Sequence, residues 1–302
     1  MRYGGEEFGI RSGPYSAVVT EVGATLRHLR HGGRDLVVGF EATELRPVYR
    51  GAVLAPWPNR IVDGRYEFGA AVHQLPLTEP DRGHALHGFV CWESWRMVDH
   101  TADRVVLSHR LHPREGYPFR LDLEASYILG PDGLTWRVSA RNTGDVEAPY
   151  GCAPHPYLRP GDGCVDDWLL ELPAERYLEV TPDRLLPRGI ADVAGTGFDF
   201  RVARRIGDVT VDHAFTGIRY DPDGLATARL LTASGDGVRI QWDASCPWVQ
   251  VHTADRPEPG LNRVGLAIEP MTCPPDAFNS GVDLVVLPPG AHHAASWLLS
   301  AA

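Results

Sequence analysis

A glutamate at the end of a short apolar run is the first residue in this sequence whose setting suggests chemistry. Val264, Leu266, Ala267 and Ile268 read as a buried strand, and Glu269 follows them. Pro270 comes next. Proline cannot donate to a sheet ladder, so the strand is expected to stop there. Pro274 and Pro275 then stiffen the exit loop. Apolar neighbours disfavour an ionised carboxylate, and a carboxyl group so placed can act as a general acid or base near neutral pH. Taken alone, the commoner meaning of this pattern is a strand-end acid facing water.

Four other places carry residues of the same kind. In Ala153-Pro154-His155-Pro156-Tyr157, a histidine between two prolines has little backbone freedom, because the residue before proline is itself restricted. Such preorganisation is useful if the imidazole must meet a substrate atom accurately, although a Pro-His-Pro turn also arises without function. In Gly83-His84-Ala85-Leu86-His87-Gly88 the two histidines are three apart. That odd spacing on a strand sends them to opposite faces, so a shared metal is not expected. The flanking glycines suggest that a ligand approaches the backbone at His87. In Ala55-Pro56-Trp57-Pro58-Asn59-Arg60, Arg60 offers a rigid fork of donors suited to hydroxyl and carboxylate oxygens. A surface salt bridge is its commoner use. Trp57 reads either as a stacking surface for a sugar ring or, more commonly, as a lid over the core. Asp212 opens a short apolar run and fits a turn-capping aspartate as well as a site acid.

The elements that must hold these residues have a period of two. Leu121, Leu123, Ala125, Tyr127 and Leu129 alternate with more polar neighbours; after Gly130-Pro131-Asp132-Gly133, so do Leu134, Trp136, Val138 and Ala140. That is a hairpin with one buried face. Short strands are also expected at 16–22, 35–40, 104–111, 226–232, 238–242, 248–252 and 282–287. The 32 glycines and 25 prolines fall mostly between such runs, as turn chemistry requires. No long helical stripe, repeat or linker appears. The expectation is one all-β domain over residues 1–302, a large antiparallel β-sandwich.

Composition narrows the function. A net charge of −10 argues against nucleic-acid or anionic-membrane partners. The amino terminus has no apolar signal region and no run reaches membrane-spanning length. The five cysteines are odd in number and lack CxxC spacing, which suggests reduced thiols and a cytoplasmic protein. All 29 basic residues are arginine. Without lysine there is no Schiff-base chemistry, no pyridoxal phosphate anchor and no P-loop.

In order along the chain, Asn59-Arg60-Ile61, Ala85-Leu86-His87-Gly88, His155-Pro156-Tyr157, Asp212-His213-Ala214-Phe215 and Glu269-Pro270 through Pro275-Asp276-Ala277-Phe278-Asn279 resemble the aldose 1-epimerase (galactose mutarotase) family. Each motif is short; five in order are fairly specific. The resemblance implies a sugar cleft on a concave sheet of a large β-sandwich. It also implies Glu269 as base, His155 as acid, and Arg60, His87 and Asp212 as holders of sugar hydroxyls. Asn59 and Trp57, in the Arg60 motif, are expected at the sugar too. Pro154, Leu158 and the Ala55–Pro58 stretch depart from the galactose enzymes. They resemble a bacterial branch acting on diverse or unassigned hexoses, sulfoquinovose among them.

The implied reaction interconverts α and β anomers of a hexose through ring opening and closure. It asks for one base and one acid, with no metal or cofactor, and each well-placed group contributes roughly 10²–10⁴-fold. On this reading Glu269 is ionised to accept the C1 hydroxyl proton and His155 keeps an imidazole pKa that is not strongly depressed. The expected partner is a small monosaccharide, and the protein a monomer or homodimer. The alternatives are a non-catalytic sugar-binding protein, a glycosidase using Glu269 with Asp212, and a cupin-like metal enzyme built on His84, His87, His155 and Glu269.

Overall fold

The hairpin of the alternating segment forms in the computed structural model, which describes residues 1–302. Leu121–Gly130 and Gly133–Asn142 pair antiparallel from Leu121 opposite Asn142 to Gly130 opposite Gly133. Leu121, Leu123, Ala125, Tyr127 and Leu129 are all buried. Glycine is required at Gly133: its φ is +128°, and a Cβ there would lie 2.3 Å from the Leu299 carbonyl oxygen.

This hairpin sits in a nine-stranded sheet. Its order is Arg96–His100, Arg104–Leu111, Leu121–Gly130, Gly133–Asn142, His292–Ala301, Gly237–Trp242, Ala226–Leu231, Leu169–Glu171 and Arg204–Arg205. The carboxy-terminal strand His292–Ala301 therefore lies mid-sheet and joins two hairpins far apart in sequence. A second, six-stranded sheet runs Tyr157–Leu158, Leu266–Met271, Trp248–His252, Asp212–Ile218, Ala174–Val180 and Pro187–Asp192. A four-stranded sheet at the amino terminus (Glu7–Ser12, Tyr15–Thr20, Thr25–His31, Arg34–Asp35) completes the main architecture. Every strand pair is antiparallel. Inward side chains of all three sheets, such as Phe8, Tyr127 and Ile268, belong to one apolar cluster. No helix is long and apolar enough to cross a membrane.

Two strand expectations are corrected. Of the segment expected as a strand over 35–40, only Asp35 belongs to a strand, Arg34–Asp35, with Val37 making an isolated bridge to Leu158. Beyond it the chain leaves its sheet and crosses to Tyr157, whose carbonyl accepts the Val38 amide at 2.8 Å. More consequentially, the strand carrying Glu269 does not stop at Pro270. It runs Leu266–Met271, with Val249 opposite Pro270 and Trp248 opposite Met271. Its other neighbour, Tyr157–Leu158, reaches only Ala267 and Leu266. At Pro270 that edge has no ladder partner, so the missing amide hydrogen costs nothing.

Candidate active site

Alternation in the six-stranded sheet decides which side chains reach the site. Val249, Val251, Leu266, Ile268 and Phe215 point into the main core. By parity Gln250, His252, Glu269 and Asp212 lie on the opposite face. That face is itself covered, because Ala52–Leu54 and Ala153–His155 pair across it. Their Ala52, Leu54 and Ala153 pack with Ala214, Trp248 and Met271. A strand buried on both faces reads as a continuous apolar run, which is why Glu269 stands out in it.

Between this face and the loops around Asn59, Glu79 and His87 lies a cavity of about 360 Å³, within the range of small-ligand pockets. Asn59, Arg60, His87, His155, Asp212 and Glu269 all line it, although they span more than two hundred residues of chain. His155 ends the strand Ala153–His155, its carbonyl tied to the Gly51 amide at 2.8 Å. Its Nε2 lies 3.4 Å from Glu269 Oε1, and both side chains are almost fully buried. Tyr157 stacks on the imidazole with ring centroids 5.2 Å apart.

Burial dominates the ionisation of this pair. It raises the Glu269 pKa well above the ordinary carboxyl value; Asp212 adds to the rise, and Arg60 opposes it. Burial also pushes His155 down to about 3, with His252 contributing in the same direction. The expectation of an undepressed imidazole at His155 is therefore corrected. Burial thus favours the neutral form of each group, a protonated Glu269 and an uncharged His155. Burial likewise holds His87 well below its ordinary value, with His155 and Arg60 adding to the effect. Asp212 behaves oppositely. Burial opposes its charge, but His252 and Arg60 outweigh that penalty and keep it ionised.

Several of these groups have unused hydrogen-bonding atoms. Glu269 Oε2, Gln250 Oε1, His87 Nδ1, His155 Nδ1 and both ring nitrogens of His252 are buried without a partner. Buried polar atoms are normally paired, so such a concentration in one cavity marks a surface shaped for a polar ligand. Asp212 is partly engaged: its Oδ1 accepts from Gln250 Nε2 at 2.7 Å. Asn59 Oδ1 accepts from the Arg60 amide at 2.9 Å, and the Asn59 carbonyl accepts the His87 amide at 2.8 Å.

Not every residue singled out in the sequence reaches the cavity. Trp57 is buried in the core against Phe89, Tyr117 and Phe278, and its Nε1 donates to the Ala85 carbonyl. It is a core residue, and no face of it is offered to a sugar. His84 is buried behind the cleft with Nε2 against the Arg184 carbonyl at 2.8 Å. His213 packs on Phe198 and Tyr177. The close backbone approach beside His87 is to Ala55, whose carbonyl oxygen would sit 2.0 Å from a Cβ on Gly88. Conversely Glu79, Gln250, His252, Tyr49 and Arg256 line the cavity and were not anticipated. Gln250 and His252 were legible in principle, since alternation sets them opposite Val249 and Val251. Glu79 lies in a loop with no pattern to betray it.

The family model described as Aldose 1-epimerase matches residues 8–300. The chain belongs to the aldose 1-epimerase family. Aldose 1-epimerases are isomerases, and among the chain's relatives is mouse galactose mutarotase, 29% identical over 231 residues, covering 72% of this chain and 66% of that protein. A protein of Escherichia coli K12 named "Uncharacterized protein YihR" is 34% identical over 294 residues, covering 97% of this chain and 92% of its own length. Two solved structures of aldose 1-epimerase type have the same fold. The GalM/aldose epimerase homologue from C. elegans superposes with a TM-score of 0.86 at 22% identity, covering 98% of each chain. Galactose 1-epimerase from Lactobacillus acidophilus does so with 0.80 at 23% identity, covering 96% and 92%.

Proposed function

We propose that the protein interconverts the α and β anomers of a hexose, with Glu269 and His155 as the acid–base pair. The observation that carries this reading is the facing of the two buried side chains, 3.4 Å apart, in a cavity lined with unpartnered polar atoms. Glu269 as carboxylate removes the proton from the C1 hydroxyl while His155 as imidazolium gives one to the ring oxygen. The C1–O5 bond breaks and the O–H electron pair becomes the carbonyl π bond. The open chain turns about C1–C2. His155 then takes the C5 hydroxyl proton, O5 attacks the other face of C1, and Glu269 returns its proton to the former carbonyl oxygen.

The shifted pKa values suit these roles. A carboxylate whose pKa is raised is a stronger base, and an imidazolium whose pKa is depressed is a stronger acid. Proton transfer during opening thus runs toward the distribution that burial favours, a protonated Glu269 and a neutral His155. Arg60, His87, Asp212 and Asn59 hold the hydroxyls that fix the ring against the pair. Which hexose is turned over is a matter of these rim contacts.

Anomeric exchange measured at equilibrium by NMR tests the reading on a panel of neutral, phosphorylated and sulfonated hexoses. Wild type should exchange at least one of them far faster than buffer. Glu269→Gln keeps the shape without the base, and His155→Asn removes the acid. Each should lose several orders of magnitude in exchange, on the order of the 10²–10⁴ such a group supplies, in both anomeric directions alike, while still binding sugar. Near-normal exchange in Glu269→Gln would place the base elsewhere.

A further inference from the structure

The guanidinium of Arg60 does not hang free over the cavity. Glu79 takes it side-on: Nε donates to Oε2 at 2.7 Å and Nη2 to Oε1 at 3.0 Å. This two-point pairing is the strongest geometry available to arginine and a carboxylate. The two side chains are only 11% and 13% exposed, so water screens them little. Arg60 Nη1 reaches Asn59 Oδ1 at 3.4 Å, and Nη2 lies 3.8 Å from Asp212 Oδ2. Of the five N–H groups of an arginine, Glu79 occupies two and Asn59 one. The free N–H of each terminal nitrogen is left for Asp212 and a ligand.

Glu79 is itself rigidly mounted. Its amide donates to the His84 carbonyl at 3.0 Å, and its own carbonyl accepts the amides of Gly83 and His84. That turn leads directly into His84–Leu86, the strand paired with Arg60–Val62. Arg82 Nη1 also donates to Oε1 at 2.9 Å. The carboxylate thus accepts three hydrogen bonds from two arginines and faces Arg60 from a closed loop.

We propose that Glu79 is a positioning residue for the sugar site: it locks the Arg60 guanidinium so that its free edge meets Asp212 and a ligand hydroxyl. The proposal rests on the mutarotase reading above and assigns Glu79 no contact with the reacting atoms. It has an electrostatic side as well. The titratable groups around Arg60 and Glu79 are Asp212, Glu269, Arg82, Tyr49, His87 and His252. Neutralising Glu79 leaves the Arg60 charge balanced by Asp212 but without its bidentate partner, which favours ionised Glu269. The alkaline limb of the pH profile then moves to lower pH.

The test is a double-mutant cycle in the full-length protein. Glu79→Gln should lower kcat/KM for anomeric exchange roughly 10- to 100-fold through misplacement of the arginine, and should shift the alkaline limb downward. Glu79→Asp keeps the charge on a shorter arm and should recover part of the loss with the limb in place. In an Arg60→Ala background, Glu79→Gln should cost almost nothing further. Three results overturn the proposal: a Glu79→Gln enzyme with normal kcat/KM and pH profile, one altered only in thermal stability, or an undiminished loss in the Arg60→Ala background. A wild type that binds sugar without exchanging anomers defeats the mutarotase reading instead, and the same cycle is then read in Kd. A wild type that does neither overturns both.

Discussion

At the scale of single residues, the site is a study in what burial does to two groups of opposite charge type. Burial favours the protonated form of Glu269 and the neutral form of His155, and in the proposed mechanism the two share a single mobile proton. Transferring it between them changes no net charge, and pH does not select one arrangement over the other. The profile of kcat/KM, which reports the free enzyme, should therefore show no acid limb at the ordinary histidine value of 6.5. Its acid limb should fall far lower, toward the value of about 3 to which His155 is held, where the pair takes a second proton. Its alkaline limb belongs to loss of the one proton and should lie well above the ordinary carboxylate range. An acid limb centred near 6.5 would show that His155 titrates as an ordinary imidazole in the working enzyme.

At the scale of elements, the loops over the sheet are held by residues that resemble ligand-binding ones. Trp57 fills the core between Phe89, Tyr117 and Phe278. Trp57→Ala should cost about 3–5 kcal/mol of stability by chemical denaturation. Trp57→Phe, which keeps a ring in place, should retain a near-normal KM; a large rise in KM with unchanged stability would restore it to the sugar site. Gly88 allows the His87 loop to pass the Ala55 carbonyl at a φ of +70°. Gly88→Ala adds both a backbone penalty of about 1–3 kcal/mol and a steric clash. It should lower the denaturant midpoint and raise KM together, because His87 is displaced with it. Asp276 works similarly from the far side. Its Oδ1 accepts the Val62 amide at 2.9 Å and the Asn279 side chain at 2.7 Å, and its amide donates to the Arg60 carbonyl. The Pro275-Asp276-Ala277-Phe278-Asn279 motif thus braces the Arg60 strand.

For the whole molecule, the cleft makes stability depend on pH in two senses. Glu269 has a raised folded pKa, so the native state holds a proton that the unfolded chain releases above the ordinary value of 4.5. Its contribution is fully present below that value and is lost as pH rises through the raised pKa. Glu269→Gln lacks this loss, so its stability relative to wild type should grow from pH 4.5 upward. His155 has a depressed folded pKa, so its contribution is present above 6.5 and is lost as pH falls toward about 3. Denaturant titrations of wild type, Glu269→Gln and His155→Asn across this range check both signs. A Glu269→Gln curve parallel to wild type would mean that the carboxyl is ordinarily solvated.

The sequence by itself determined the class of fold and pointed to six side chains that line the cavity, Asn59, Arg60, His87, His155, Asp212 and Glu269. Alternation along Leu121–Gly130 and Gly133–Asn142 needs no partner to be read, because a period of two with one buried face admits only a strand. His155 between prolines and Glu269 in an apolar run were conspicuous because each breaks a local rule that packing alone would enforce. What only the tertiary structure decided were pairings of long range. The mid-sheet place of His292–Ala301 depends on neighbours more than one hundred residues apart in the chain. The continuation through Pro270 depends on how short the adjacent Tyr157–Leu158 strand is, and the retreat of Trp57 into the core on which rings arrive beside it. Glu79 is the clearest case. Nothing in its loop marks it, and it becomes significant because a closed turn and the strand pairing of His84–Leu86 with Arg60–Val62 set its carboxylate against the one guanidinium buried in the cleft.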